Sequence, residues 1–251
     1  MTFKDHFSGV AATYAAARPE YPDALFAQLA RHVPAQAAVW EPGCGSGQAT
    51  RGLAARFDRV YATDPSARQI AEHWAAAGPG KVTLAVEPAE RTALADGSVG
   101  LVAVAQALHW FDHPAFFAEC ARVLAPGGVL AAWGYDDFEP PAGMEAAVAA
   151  FRADIEPDWT PERALVRAHY AGIDWPFAPL AQETLWLGAE WTLARLLDYL
   201  ASFSAVGVHR ARTGRDPVAA HADALASAWG DPQAVRAIRW PLFLHLRRKP
   251  G

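Results

Sequence analysis

The sequence has very few cysteines and no long apolar run. Its two cysteines, Cys44 and Cys120, are too few for a disulfide framework and lack the spacing of zinc ligands. The longest apolar run, Val99 to Ala105, is far shorter than the roughly 18 residues of a membrane span. The opening residues MTFKDHFSGV have no secretory apolar core. These absences predict a cytoplasmic protein with reduced thiols.

Basic residues are also scarce. Lysine and arginine number 22 against 27 acidic residues, for a net charge of -5. A protein that binds nucleic acid by neutralising phosphates needs a clustered surplus of positive charge. We therefore expect a small-molecule partner, with neither nucleic acid nor a membrane as partner. The sequence leaves the oligomeric state open.

The length of 251 residues suits one large domain. We expect a single domain over 1–251, with a core at about 33–135 and 231–248. A mainly helical cap is expected from an N-terminal leader, 1–32, and an insertion, 136–230.

Strand and helix patterns alternate through the first half of the chain. The predicted strands are AAVWEPG, RVYATD, VTLAVE, the apolar run at 101–105 and the run after APGG, and the predicted helices cover 20–33, ATRGLAARF, 65–78 and 114–124. This alternation indicates a parallel sheet with helices on both faces.

The second half is less regular. Helices are predicted at 144–155 and 163–170 and over TLARLLDYLASF and PVAAHADALASAWG, with a strand at QETLWLG. The segment IRWPLFLHLRRK is predicted to be a closing strand near the sheet edge, because Pro241 cannot donate to a strand ladder.

The stretch VWEPGCGSGQAT places Gly43, Gly45 and Gly47 directly behind a predicted strand. The dinucleotide pattern G-x-G-x-x-G fails, because Gln48 or Thr50 stands where its third glycine belongs. A P-loop fails too, since no Gly-Lys-Ser or Gly-Lys-Thr follows. A tight turn without a ligand and a crevice for a ligand other than phosphate are both open.

Two acids end neighbouring predicted strands around these glycines. Asp64 suits a ribose diol, because two hydroxyls can donate to one carboxylate. Glu41 suits a cationic ligand. A nucleoside that carries an ammonium or sulfonium group satisfies both.

Several motifs occur in the order found in one enzyme family. The segments EPGCGSGQAT, TDPSARQI and EPAERTALADGSVGLVAVAQALHWFDHPAFFAECARVLAPGGVLAAWGY resemble the class I S-adenosylmethionine-dependent methyltransferases, and most closely the trans-aconitate methyltransferase-like small-molecule branch. The resemblance covers roughly 7–135 and includes the leader YAAARPEYP. It implies a Rossmann-like α/β fold with a seven-stranded sheet, mostly parallel with an antiparallel last strand, and S-adenosylmethionine as cofactor.

The resemblance also assigns roles to residues. It implies a cofactor site formed by Tyr14, Arg18, Glu41, Gly43, Gly45, Gly47, Asp64, Pro65, Gln69, Ala89, Glu90 and Gln106. Pro88 stands where relatives often carry an acid for the adenine amino group. Glu87 or Glu90 is then the candidate replacement.

The methyl acceptor is harder to predict. A carboxylate needs no base, whereas a hydroxyl does, and His109 is the candidate for that role. The alternative is a structural histidine that caps the following helix. His113 could suggest a metal pair, but no third ligand completes it, and we expect no metal.

The acceptor pocket is expected to include Trp110, Tyr135 and Ser204. Relatives of this branch often have tryptophan where this chain has Phe203, so trans-aconitate itself is an unsafe assignment. The leading hypothesis is a methyltransferase that acts on a carboxylate or hydroxyl oxygen of a small organic molecule. The alternatives are a protein that binds the cofactor or its product without turnover, and a nucleic-acid methyltransferase.

Overall fold

The computed structural model describes residues 18–75 and 80–251, and Tyr14 lies outside this range. Its strands are β1 Ala38–Pro42, β2 Arg59–Asp64, β3 Val82–Val86, β4 Val99–Ala105, β5 Leu124–Gly134, β6 Ala178–Pro179, β7 Leu185–Trp191 and β8 Arg236–Arg248. Its α-helices are α1 Asp23–Ala30, α2 Gln48–Arg56, α3 Ala67–Glu72, α4 His113–Val123, α5 Glu145–Ile155, α6 Arg163–Arg167, α7 Leu193–Ala201, α8 Ser204–Thr213 and α9 Pro217–Trp229. Leu108–Trp110 and Glu156–Asp158 form short 3-10 turns.

The sheet follows the order β3-β2-β1-β4-β5-β8. Strands β1 to β5 pair in parallel, and β8 runs antiparallel to β5. The place beyond β8 is shared by β7, which pairs with its first half, and β6, which pairs with its end. Eight segments thus occupy seven positions. This confirms the predicted Rossmann-like sheet, mostly parallel with an antiparallel last strand.

The central strands are buried on both faces. On β4, Leu101 and Ala103 belong to the core on one face, and Val102 and Val104 to the core on the other. Helix α1 covers the first face, where the ring of Phe26 packs over Gly52 of α2 in the space that a side chain would need. Successive side chains of a strand point to opposite faces of the sheet. Because both faces are buried here, these strands are apolar throughout.

The helix predicted over 65–78 is shorter in the structure. Helix α3 begins at Ala67 and ends at Glu72, because His73 turns back toward α2, where its Nε2 lies 3.0 Å from Thr50 Oγ1. Trp74 follows and donates from Nε1 to the carbonyl of Gly47 at 3.0 Å. These contacts replace the next helical turn.

The segment expected to form the cap contributes to the sheet as well as to helices. Strand β7 lies within it and pairs with β8, with Trp186 opposite Pro241. Helix α8 is an element that the sequence patterns did not predict. Helices α5, α7, α8 and α9 pack together over the first face. None of the helices in the described ranges is long and apolar enough to cross a membrane.

Candidate active site

The three glycines shape the turn between β1 and α2. Gly43, Gly45 and Gly47 have φ angles of +68°, +54° and +91°, which side chains rarely tolerate. A Cβ added to Gly45 would meet nothing closer than the side chain of Gln69, at 4.0 Å. The backbone at Gly45 therefore borders open space. We call the region formed by residues 41–47 and 64–74 the glycine crevice.

Asp64 ends β2 beside this turn. Its carboxylate accepts from the N–H of Gly45 at 3.0 Å and from the N–H of Ser66 at 2.8 Å. The hydroxyl of Ser66 in turn accepts from Gln69 N at the start of α3. The carboxylate is thus fixed at the carboxyl end of the strand, as expected for an acid that binds a ribose diol.

Glu41 lies beneath the turn and is almost fully buried. Burial raises its pKa to about 8, and the negative charge of Asp64 adds to the rise, while hydrogen bonds from Thr50 oppose it. In the described part of the chain, Glu41 Oε2 has no hydrogen-bond partner. Glu41 is therefore protonated at neutral pH in this arrangement, and it is not the charged acid that its place in the sequence predicts.

His73 and Trp74 complete the glycine crevice, and sequence reasoning missed both. A Cβ on Gly47 would lie 2.3 Å from His73 Nε2 and 2.4 Å from the indole of Trp74. Burial lowers the pKa of His73 to about 4. No motif signals these residues, because they reach the glycines only through the early end of α3.

The residues that were expected near the adenine lie in different surroundings. Gln69 faces Gly45, and Pro65 precedes α3 rather than starting it. Ala89 is buried. Glu90 accepts from Asp112 N at 2.9 Å.

Glu87, the other candidate acid, accepts from the Tyr61 hydroxyl at 2.9 Å and from the Thr92 hydroxyl at 2.7 Å. Both candidate acids, Glu87 and Glu90, thus accept hydrogen bonds from other parts of the protein.

Gln106 follows the carboxyl end of β4 and links this strand to β5. Its backbone has a positive φ of +52°, which is unusual for a residue other than glycine. Its side-chain amide donates to Tyr135 O and accepts from Tyr135 N, both at 2.8 Å. The amide therefore extends the ladder between the two strands and fixes the turn that follows.

A second cavity lies beyond this turn, between the carboxyl ends of β4 and β5 and the cap. It is lined by Arg18, Gln106, His109, Trp110, Tyr135, Asp136, Asp137, Trp159, Thr160, Arg163, Val166, Tyr199, Phe203 and Ser204. We call it the cap cavity. The turn at 106–111 borders both regions, because a Cβ on Gly43 would touch Ala107 and the Phe111 ring. The structure thus places Trp110, Tyr135 and Ser204 together, with His109 beside them.

His109 does not cap helix α4. Asp112 does, by accepting from Ala115 N at 3.2 Å, whereas His109 Nδ1 lies 3.1 Å from the hydroxyl of Tyr170. Burial lowers the pKa of His109 to about 4, so the ring is neutral at pH 7. His113 Nε2 donates to the carbonyl of Leu108 at 3.0 Å. Within 18–75 and 80–251, no three acidic, histidine or cysteine side chains form a cluster suited to a metal ion.

Two carboxylates in the cap cavity were not among the predicted site residues. Asp136 and Asp137 follow β5 and both pair with Arg163, at 2.7 and 3.1 Å. Burial raises the pKa of Asp136, while Arg163 opposes the rise. The guanidinium of Arg163 also lies 3.5 Å from the centre of the Trp159 ring.

Arg18 reaches the cavity from the N-terminal side. Its guanidinium lies 5.2 Å from the centre of the Tyr199 ring and 5.6 Å from that of Phe203. The arginine thus joins the leader to the aromatic residues of the cap. Asp136, Asp137 and Arg163 could not be found from motifs, since their proximity depends on how the cap folds over β5.

The chain matches known methyltransferases over most of its length. Residues 40–132 match the family described as a methyltransferase domain. A solved structure described as "a putative type II methyltransferase" from Anaeromyxobacter dehalogenans is 41% identical, covers 93% of this chain and 99% of its own, and has a TM-score of 0.86. A "putative methyltransferase" of Dictyostelium discoideum is 28% identical over 98% of this chain and 96% of its own.

A third relative matches over a shorter region. An uncharacterized methyltransferase of Mycobacterium tuberculosis is 39% identical over 125 residues, which is 49% of each chain. The trans-aconitate methyltransferase-like branch is not confirmed and stays a prediction. The strand order and the matched domain, together with the near-complete overlap with a 41% identical methyltransferase, lead to one conclusion. The chain belongs to the class I S-adenosylmethionine-dependent methyltransferases.

Proposed function

We propose that this protein transfers a methyl group from S-adenosylmethionine to an oxygen of a small organic molecule, either a carboxylate or a hydroxyl. The observation that carries the proposal is the turn at 106–111, which borders the glycine crevice on one side and the cap cavity on the other. A donor and an acceptor held in these two regions would meet across that turn.

The residues of the glycine crevice fit the cofactor. Gly45 borders open space where a Cβ would project, and the Asp64 carboxylate lies beside it. Ionised carboxylates have about four acceptor positions, so Asp64 can accept from ribose hydroxyls as well as from two backbone N–H groups. Glu41 adds a buried oxygen that has no partner in the described residues.

When bound, S-adenosylmethionine supplies a methyl group already activated by its sulfonium. The protein then has to orient the acceptor and exclude water. The cap cavity can do both, because Trp110, Trp159, Tyr199 and Phe203 form apolar walls around its polar groups. Ser204, at the start of α8, adds a hydroxyl to the same wall.

The charged side chains of the cap cavity favour a small polar acceptor over nucleic acid. Arg163 is already paired with Asp136 and Asp137, and these carboxylates would repel a phosphate backbone. Arg18 and His109 lie in the same cavity and can meet an acceptor oxygen. We therefore keep the small-molecule acceptor ahead of the nucleic-acid alternative.

Calorimetry tests the cofactor part of the proposal. We expect S-adenosylmethionine and S-adenosylhomocysteine to bind the purified protein with a stoichiometry of one. Absence of heat and of thermal stabilisation with either compound would contradict the assignment of the glycine crevice.

A panel of small carboxylic acids, phenols and alcohols tests the acceptor part. We expect acceptor-dependent formation of S-adenosylhomocysteine with at least one class of compound. A protein that binds the cofactor yet turns over no member of the panel would favour the alternative of a binding protein. Methylation of oligonucleotides in the same assay would favour a nucleic-acid acceptor.

A further inference from the structure

The imidazole of His109 is held by a residue far away in the sequence. Tyr170 lies just after α6, is fully buried, and has its hydroxyl 3.1 Å from His109 Nδ1. His109 itself is half-buried and lines the cap cavity. Because Nδ1 is engaged with Tyr170, Nε2 is the ring nitrogen left to meet a molecule in the cavity.

The backbone around Tyr170 is strained. Tyr170 and the preceding His169 both have positive φ, +59° and +49°. Such conformations are unfavourable for residues with a side chain and persist only where the surroundings enforce them. Here the rings of His169 and Tyr170 pack on Phe243 of β8, with centroids 4.9 and 5.0 Å away. His245 Nε2 also donates to the carbonyl of His169 at 2.7 Å.

Hydrogen-bond counting assigns the proton between the two side chains. In the described part of the chain, His109 Nδ1 is the one acceptor within hydrogen-bond distance of the buried Tyr170 hydroxyl. The hydroxyl carries a single proton, and unless it is donated to Nδ1 that buried proton lacks an acceptor. A neutral imidazole that accepts at Nδ1 carries its own proton at Nε2.

We propose that Tyr170 is a positioning residue that fixes His109 as an Nε2–H donor, so that His109 donates a hydrogen bond to the acceptor oxygen instead of removing its proton. The role toward the acceptor rests on the proposed methyltransferase function. It replaces the hypothesis that His109 is a general base. The favoured acceptor is then one whose oxygen arrives already ionised, namely a carboxylate.

The surroundings of His109 support a neutral ring. Burial lowers its pKa to about 4, and His113 lowers it further, while Glu162 acts in the opposite direction. Burial also raises the pKa of the Tyr170 hydroxyl. The charged side chains across the cavity are Arg18, Asp136, Asp137 and Arg163, and each of the two aspartates forms an ion pair with Arg163.

Nuclear magnetic resonance can test the tautomer without an acceptor. The full chain would be labelled with ¹⁵N-histidine, and long-range ¹H–¹⁵N spectra recorded at pH 7, with His109 assigned by comparison with His109→Gln. We expect an Nε2–H tautomer in the wild type and a mixture of tautomers in Tyr170→Phe. A matched control is Tyr61→Phe, which removes a hydroxyl bound to Glu87 instead. An Nδ1–H tautomer or an imidazolium in the wild-type protein would overturn the proposal.

Turnover separates a donor from a base. With a carboxylic acid from the panel, His109→Gln should keep more of the wild-type kcat/KM than His109→Leu, because its amide can donate. His109→Leu should lose about tenfold or more in kcat/KM, as expected for a lost bond to a charged group, with cofactor affinity unchanged.

Loss of activity in His109→Gln as severe as in His109→Leu, with a rate that rises as His109 deprotonates, would establish a base and contradict the donor role. If no compound is methylated, the proposed function fails, while the spectra still decide the tautomer.

Discussion

The glycine crevice and the cap cavity are built in different ways. The glycine crevice is formed mainly by backbone: Gly43, Gly45 and Gly47 open the turn, and backbone N–H groups hold the Asp64 carboxylate. The cap cavity is formed by side chains from separate segments, including Arg18, Gln106, Arg163 and Ser204, that meet through ion pairs and aromatic rings.

This difference determines how the glycine crevice and the cap cavity respond to substitutions. A site made from backbone depends on chain conformation, so few substitutions alter its ligand without disturbing the turn. A site made from side chains can be reshaped by single substitutions in the cap. Under the proposed function, the glycine crevice would define the reaction class, and the cap cavity would define which molecule is methylated. Single substitutions in the glycine crevice and in the cap cavity should therefore have separable effects.

Asp64→Ala should give the largest effect, confined to cofactor affinity. We expect S-adenosylhomocysteine to bind about 100-fold more weakly, since hydrogen bonds to a charged group contribute about 1.5–3 kcal/mol each. Calorimetry measures the change. The control is Asp58→Ala, which removes an exposed carboxylate 3.4 Å from Lys81. Equal affinities of the two variants would refute the role of Asp64.

Gly45→Ala should weaken the same binding about tenfold, because the methyl group projects into the open crevice. Gly127→Ala is a matched control. Gly127 also has a positive φ, +73°, and open space around it, but it lies near the start of β5, away from the carboxyl ends of the strands. Both variants bear backbone strain, and only Gly45→Ala should lose affinity. A similar loss in both would attribute the effect to strain alone.

Phe203→Leu should affect the cap cavity and not the glycine crevice. Its ring packs on Tyr199 and Trp159 and lies under Arg18, so a smaller side chain loosens the cap cavity. We expect kcat/KM for the acceptor to fall about tenfold, with cofactor affinity unchanged. Phe177→Leu, on the opposite core cluster, is the control. A matching loss of cofactor affinity in Phe203→Leu would show that the two sides are not separable.

Glu41→Gln should change the pH dependence of stability. The folded pKa of about 8 lies above the ordinary value of 4.5, so the folded protein keeps a proton that the unfolded chain releases. Stability from this group therefore falls by about 1.4 kcal/mol per pH unit between those values, and is unaffected below the lower one.

The glutamine variant should lose this slope, as measured by urea unfolding at several pH values. The exposed Glu145→Gln is the control. Parallel slopes in wild type and Glu41→Gln would contradict a protonated Glu41.

Sequence patterns predicted the first half of the fold well, because each strand there is an apolar run that ends at a turn residue or an acid. They failed where a tertiary contact outweighs a local pattern. Helix α3 ends early because His73 and Trp74 bind Thr50 and Gly47. The strand predicted at QETLWLG is confirmed as β7, which pairs with β8 because β8 is long enough to pair with both β5 and β7.

The sequence by itself determined the reaction class through the resemblance of its ordered motifs to one enzyme family. The glycines and acids of those motifs act through local backbone conformation that neighbouring residues encode. Only the tertiary structure decided how Arg163 pairs with Asp136 and Asp137 and how Tyr170 contacts His109. It also decided that Glu41 is buried deeply enough to hold its proton. These properties depend on distance and on exclusion of water between residues that are remote along the chain, and no local pattern encodes either.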